Sequence, residues 1–181
     1  MELDDRELVV QCQQGNLEQF ALLYDRYSTA LYAFIYSKTH HKETAEDLTS
    51  TVFFKALNHI QEFDADKGFF RAWLYRIARN SVIDHYRTRK VHGDIEDAWD
   101  VPEDSDFIRD LDIKSKLGQV QVYLKDLKPD EREVITSRLW HDFSYREIAE
   151  MLGKTEASCK MLFSRSMRKL REQLDSLAYA K

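Results

Sequence analysis

The chain has 181 residues, of which 33% are charged and only five are Gly and two are Pro. This composition is typical of helical proteins and allows one compact domain or two small ones. A net charge of −5 excludes a uniformly basic nucleic-acid binder. Two Cys residues lie far apart without a CxxC motif, which excludes a disulfide framework and a zinc knuckle. We see no signal peptide and no run of transmembrane length, so we expect a cytosolic, reduced protein.

The N-terminal region is predicted to form three helices. Asp4 or Asp5 caps the first helix, which Gly15 ends, and Asn16 with Gln19 opens the second as a capping box. A polar turn, THHKET, precedes the third. Apolar side chains keep a helical period along all three, including Leu8, Val9, Cys12, Phe20, Leu23, Tyr24, Tyr27, Leu31, Phe34, Ile35, Ala45, Leu48, Val52, Phe53, Ala56, Leu57 and Ile60.

A short loop, residues 63–69, follows the third helix. Its alternating acids lack the length and the terminal Glu of a calcium-binding loop. His40, His41 and His59 have no Cys or carboxylate that completes a ligand set, so we expect no metal site.

The next stretch, residues 67–90, is basic and aromatic. It has seven Lys or Arg residues and one acid, Asp84. A core stripe is predicted at Phe70, Trp73, Leu74 and Ile77, and Tyr75 and Tyr86 are placed nearer the basic face. Cations interleaved with aromatic rings suit unstacked bases and their phosphates, and a plain basic surface helix is the alternative.

Acidity is concentrated in the middle of the chain. Residues 91–118 hold nine acids against three Lys or Arg. Residues 91–112 also contain Gly93 and Pro102 without a sustained period, which predicts an acidic linker. A helical pattern returns at Ile113, with Leu117, Val120 and Leu124. Pro129 then suits the first position of another helix, whose apolar residues are Val134, Ile135 and Leu139.

Residues 143–174 read as two helices joined by a short turn. Ser144 and Glu147 form a capping box, Gly153 ends the first helix, and Thr155 caps the second. The second helix carries an apolar stripe of Cys159, Leu162, Phe163, Met167, Leu170 and Leu174. Its basic residues are Lys154, Lys160, Arg165, Arg168, Lys169 and Arg171, with Glu156 as the one acid between Lys154 and Arg171. This is the pattern of a DNA-binding helix-turn-helix, with a solvated bundle helix as the alternative.

The predicted architecture is therefore all-α. Two small helical domains, residues 1–90 and 113–181, are joined by an acidic linker, residues 91–112. The first suits opened DNA and the second suits duplex, as in a promoter-opening factor. The sequence has no Gly-rich phosphate loop, GxSxG, HExxH or supported carboxylate pair, so we expect no enzymatic activity and no cofactor.

The chain resembles the bacterial RNA polymerase sigma factors of the extracytoplasmic-function group, which are compact relatives of sigma-70. Residues 45–57 (AEDLTSTVFFKAL) resemble the segment that docks on the polymerase β′ subunit. Residues 70–87 (FRAWLYRIARNSVIDHYR) resemble the segment that melts and reads the −10 element. Residues 124–172 resemble the domain that binds the β flap and reads the −35 element.

The resemblance implies three sets of binding residues. The core polymerase-binding set is Asp47, Leu48, Thr51 and Phe53. The −10 set is Arg71, Arg76, Arg79, Asn80, Ser81 and Arg87. The −35 set is Lys154, Thr155, Lys160, Met161, Ser164, Arg165 and Lys169. The family usually has Gln-Glu at Ser50 and Thr51, and often Ser-Arg at Met161 and Leu162.

The resemblance also implies the partners. These are the β and β′ subunits of core RNA polymerase, promoter DNA and an anti-sigma factor, with no membrane insertion. We expect a factor that directs transcription of a stress or envelope-response regulon in the bacterial cytoplasm, free or held at the membrane by its anti-sigma factor. The alternative is a stand-alone helix-turn-helix regulator that binds operator DNA.

Overall fold

A computed structural model describes residues 3–90, 123–124 and 127–178. The chain divides into two compact units, Met1–Ala98 and Trp99–Lys181. The described residues are helical apart from turns and loops, which confirms the all-α prediction. Their α-helices are α1 (Asp5–Gln13), α2 (Phe20–Thr39), α3 (Lys42–Asn58), α4 (Phe70–Lys90), α5 (Pro129–Trp140), α6 (Tyr145–Leu152) and α7 (Glu156–Ala178). The predicted linker lies outside the described residues, as does the helix expected over residues 113–124 except for residues 123 and 124, which are helical.

The N-terminus of α1 is capped by side chains, whereas the start of α2 is not. The Asp4 carboxylate accepts the Glu7 N–H at 2.8 Å, and the Glu7 carboxylate accepts the Asp4 N–H at 2.9 Å, so the predicted cap of α1 is confirmed. Asn16, in contrast, makes no side-chain capping hydrogen bond. The chain enters α2 through a 3-10 turn, Leu17–Gln19, so the predicted capping box at Asn16 was wrong.

Aromatic packing joins α2 and the loop after α3 to α4 in the first unit. Phe34 of α2 meets Tyr75 of α4 edge-on, with ring centroids 4.9 Å apart. Phe63, from the loop after α3, packs on Trp73 of α4 with ring centroids 5.1 Å apart. Edge-on and tilted aromatic pairs add to the stabilisation that burial gives. The stripe predicted for α4 therefore points into the core.

The turn between α2 and α3 contains only His40 and His41. His40 ends α2 in the left-handed region, with φ 48°. His41 Nδ1 accepts the Thr44 N–H at 3.3 Å and caps α3. The polar turn predicted over six residues is thus shorter, because Thr39 and Lys42 belong to the helices on either side.

In the second unit, α5, α6 and α7 pack on one another around Val134, Phe143, Ile148, Met151 and Cys159, all of which are buried. A second cluster joins Tyr123, Leu127 and Ile135 to Leu170. Pro129 is at the start of α5, as predicted. Leu139 was predicted to face this core, but it is 51% exposed, and its neighbour Trp140 is 57% exposed.

The helix-turn-helix caps are all confirmed. Ser144 Oγ accepts the Glu147 N–H at 3.2 Å, and the Glu147 carboxylate accepts the Ser144 backbone N–H at 2.8 Å. Gly153 ends α6 in the left-handed region, at φ 63°. Thr155 Oγ1 accepts the Ser158 N–H at 3.1 Å and caps α7. Left-handed backbone favours Gly because it has no Cβ.

Within the described residues, no helix combines the length and the apolar character that a membrane span requires.

Candidate nucleic-acid interfaces and polymerase-binding face

An exposed stripe runs along α4. Arg76, Asn80 and Arg87 are all exposed, and their spacing by four and seven residues places them on one side of the helix. Among the described residues, neither Arg76 nor Arg87 has an ion-pair partner. This stripe can therefore present to a ligand an amide and two guanidinium groups that have no ion pair among the described residues.

Arg71 and Arg79 are half-buried rather than exposed. The Arg71 guanidinium lies 6.0 Å from the centre of the Tyr75 ring, a cation–π distance. Burial raises the pKa of Tyr75 to about 12, against a smaller opposing effect of Arg71. Arg71 is thus partly engaged in supporting the core beneath the stripe.

The two tyrosines predicted nearer the basic face are not there. Tyr75 is buried among α2 and α4 side chains. Tyr86 is half-buried, and its hydroxyl donates to the Lys38 carbonyl at 3.1 Å. A tyrosine can bury its ring and still satisfy its hydroxyl, so spacing alone did not separate surface from core.

Ser81, another member of the predicted −10 set, is only 3% exposed. Its Oγ accepts a hydrogen bond from Lys55 Nζ of α3 at 3.0 Å. In this structure Ser81 therefore joins α3 to α4 and does not line the exposed stripe.

The exposed face of α3 differs in part from the predicted core-binding set. Asp47 and Thr51 are exposed on this face. Leu48 and Phe53 are buried, with Phe53 only 4% exposed and its ring 4.6 Å from that of Tyr24. Phe54, which the sequence reasoning missed, is 65% exposed. Adjacent helical residues are about 100° apart, so of two consecutive Phe only one was expected in the core.

The third candidate face lies on α7 and the turn before it. Thr155, Lys160, Met161, Ser164, Arg165 and Lys169 are exposed, and Lys154 is half-buried. The predicted −35 set is thus brought to one helix and its N-terminal turn. Opposite it, Cys159 is buried, and burial raises the pKa of its thiol.

Most cations of this face are paired with acids of the same unit. Lys154 Nζ lies 2.8 Å from Asp130, Lys160 Nζ lies 2.6 Å from Glu156, and Lys169 Nζ lies 4.0 Å from Glu131. Arg165 alone of the predicted −35 cations has no ion pair within residues 123–124 and 127–178. Two of the three acids come from α5, which sequence spacing along α7 did not reveal.

No group of three His, Cys, Asp or Glu side chains is placed to hold a metal ion among the described residues. His41 caps α3, and His59 lies 2.8 Å from the Glu62 carboxylate.

Two family models match the chain. The model of Sigma-70 region 2 matches residues 23–91, and the model of Sigma-70 region 4 matches residues 117–170. The first range contains the α3 face and the α4 stripe up to Arg87. The second contains α5, α6 and the predicted −35 set.

Individual proteins give the same result. The ECF RNA polymerase sigma factor BldN of Streptomyces coelicolor is 38% identical over 172 residues, which are 91% of this chain and 63% of BldN. The RNA polymerase sigma factor CnrH of Cupriavidus metallidurans is 30% identical over 182 residues, 95% of each protein.

Two solved structures extend the likeness to the fold. CnrH in complex with the cytosolic domain of CnrY has a TM-score of 0.68 at 28% identity, and the match covers 95% of this chain and 97% of CnrH. The sigma factor RpoE of Bartonella quintana, in complex with the anti-sigma factor NepR, has a TM-score of 0.61 at 26% identity over 87% of this chain and 98% of RpoE. The chain therefore belongs to the sigma-70 family of RNA polymerase sigma factors, in the extracytoplasmic-function group.

Proposed function

We propose that this alternative sigma factor, which directs RNA polymerase, reads the −10 element of its promoters with α4 and the −35 element with α7. One observation carries the proposal. Each of the two compact units presents an exposed, cation-bearing stripe on a long helix, and each stripe lies within the residues that a sigma-70 region matches.

At the −10 element, Asn80 is the exposed amide between two exposed arginines. An amide can donate to and accept from the edge of an unstacked base. Arg76 and Arg87, which have no ion pairs among the described residues, are suited to the phosphates on either side. Arg71 and Arg79 support the stripe from half-buried positions, and Ser81 positions α4 instead of contacting DNA.

At the −35 element, α7 is the recognition helix of a helix-turn-helix. Such a helix enters the major groove with its N-terminal residues near the base edges. Arg165 suits a guanine edge or a phosphate, and Lys160, Met161 and Ser164 lie on the same exposed face. The backbone N–H groups that follow Thr155 suit a phosphate.

For core polymerase, we propose that β′ docks on the exposed face of α3, with Asp47, Thr51 and Phe54 as contacts. An exposed aromatic residue beside polar neighbours is the usual composition of an interface anchor. Leu48 and Phe53 hold α3 against the rest of the unit. The second unit binds the β flap, and catalysis belongs to core polymerase, with no reaction and no cofactor contributed by this chain.

The domain division, regulation and location follow from the same proposal. Residues 1–90 and 113–181 act as separate domains joined by the acidic linker at 91–112. An anti-sigma factor binds this chain, as NepR binds the relative RpoE, and its release turns on a stress or envelope-response regulon. The protein works in the cytoplasm, where polymerase and promoters are, free or held at the membrane through its anti-sigma factor.

The test is transcription in vitro with purified bacterial core polymerase, with and without this chain, on fragmented genomic DNA from its host. New initiation downstream of a shared pair of upstream motifs is the expected result. Binding to core without new initiation contradicts promoter selection by the chain alone. Failure to bind core, together with tight binding of the free chain to specific duplexes, favours a stand-alone operator-binding regulator.

A further inference from the structure

Acids of α5 lie on the cationic face of α7. Asp130 and Glu131 are the second and third residues of α5, yet Asp130 pairs with Lys154 and Glu131 lies within 4.0 Å of Lys169. Glu156 pairs with Lys160 inside α7 itself. The cations proposed for −35 phosphates are thus already close to carboxylates before DNA arrives.

The Asp130–Lys154 pair is the best placed of the three. Its Oδ2–Nζ distance is 2.8 Å, and the two side chains are only 40% and 30% exposed. Partly buried charges are less screened by salt than fully exposed ones. The pair joins two elements whose sequence positions are far apart, and Lys154 immediately precedes the Thr155 cap of α7.

We propose that Asp130 competes with a DNA phosphate for the Lys154 ammonium and so lowers the affinity of the α7 face for duplex DNA. This inference rests on the proposed −35 face. Lys has three N–H donors and could keep Asp130 while meeting a phosphate. The affinity for DNA is lowered in that case too, because the carboxylate then lies beside the phosphate and repels it.

Asp130 has a simpler role that the test must separate. An acid in the first turn of a helix is stabilised by the helix dipole, so Asp130 also supports α5. Removing that support alone would lower thermal stability and leave DNA affinity unchanged or weaker. Competition predicts the opposite sign for DNA affinity, and it predicts that the effect needs Lys154.

The experiment uses the full-length chain and a fluorescein-labelled duplex of mixed sequence, with anisotropy titrations at several salt concentrations between about 50 and 200 mM. Asp130→Asn should tighten binding at low salt by about two- to fivefold, the range that a single partly exposed ion pair supports. The slope of log K against log[salt] should steepen by up to about 0.9, the value for one more phosphate neutralised.

Two further variants make the result specific. In a Lys154→Gln background, Asp130→Asn should no longer tighten binding. Asp175→Asn removes the same charge from the exposed surface of α7, where Asp175 has no ion pair among the described residues. It should change binding less than Asp130→Asn does.

An unchanged or weaker affinity for Asp130→Asn overturns the competition, as does an equal gain in the Lys154→Gln background or in Asp175→Asn. Arg165→Ala separates this failure from a failure of the proposed function. If Arg165→Ala weakens binding while Asp130→Asn has no effect, the −35 face stands and only the competition is lost. If neither Arg165→Ala nor Lys154→Gln changes binding, the face and the competition are both wrong.

Discussion

The α4 stripe and the α7 face are both cationic helix surfaces, but their charges are held differently. On α4, the exposed Arg76 and Arg87 have no ion pair among the described residues. On α7, Lys154, Lys160 and Lys169 each have an acid within 4.0 Å. The number of cations in the sequence therefore overstates the unpaired positive charge on the α7 face.

The largest effect should come from removing the two exposed α4 cations that have no ion pair among the described residues. Arg76→Ala combined with Arg87→Ala is expected to reduce open-complex formation at least a hundredfold, since each charged hydrogen bond contributes about 1.5–3 kcal/mol. Permanganate footprinting of the −10 region, with holoenzyme bound to promoter DNA, measures open-complex formation. Arg6→Ala removes a cation that is paired with Asp66 in the same unit and should be near wild type. Normal opening by the double variant would remove α4 from the −10 assignment.

The second effect tests whether the α3 face binds polymerase separately from the DNA stripe. Phe54→Ala should weaken core binding by about 2 kcal/mol, roughly thirtyfold, the cost of losing an interface anchor. Leu22→Ala is the matched control, because Leu22 is an exposed apolar residue of α2 at 48% exposure. Equal losses in the two variants would indicate a general effect of surface apolar area and contradict an anchor at Phe54.

The third prediction compares two cations of α7: Arg165, which has no ion pair among the described residues, and Lys160, which is paired with Glu156. Arg165→Ala should weaken −35-dependent initiation by about 1–3 kcal/mol. Lys160→Ala should cost less than about 1 kcal/mol, because its ammonium must first leave or share Glu156. Abortive initiation on promoters with intact and scrambled −35 elements measures both losses. A larger loss for Lys160→Ala than for Arg165→Ala would contradict the prediction that the unpaired cation contributes more.

The smallest effect should come from a helix cap that contributes to folding but is not part of the α7 face. Ser144→Ala removes the cap of α6 and should lower the stability of the second unit by about 1 kcal/mol. Thermal unfolding followed by circular dichroism measures this. Initiation at low temperature should stay close to wild type, because Ser144 is outside the α7 face. A strong loss of −35 recognition in a folded variant would instead assign Ser144 a direct role.

Local chemistry explains which parts of the structure the sequence predicted well. The caps at Asp4, Ser144, Gly153 and Thr155 depend on residues within three or four positions of each other, and all four are observed.

Apart from the capping box predicted at Asn16, which is a local error, the errors arise where a helix packs on several neighbours or where a contact crosses between elements. In α4, Tyr75 and Ser81 face α2 and α3 respectively, so the buried sector is wider than one stripe. Leu139 is on the exposed side of the last turn of α5, and the core contact after that turn is made by Phe143. The Asp130–Lys154 pair joins residues that no helical period relates.

The Lys55–Ser81 hydrogen bond has a mechanical consequence for the first unit. Ser81 follows Asn80 directly, and one residue corresponds to about 100° of rotation around a helix. The hydrogen bond from Lys55 Nζ to Ser81 Oγ, at 3.0 Å, opposes rotation of α4 about its long axis. Because Asn80 is the adjacent residue on the helix, this contact helps to fix which side of α4 carries Asn80, and we expect Lys55→Ala to loosen that placement.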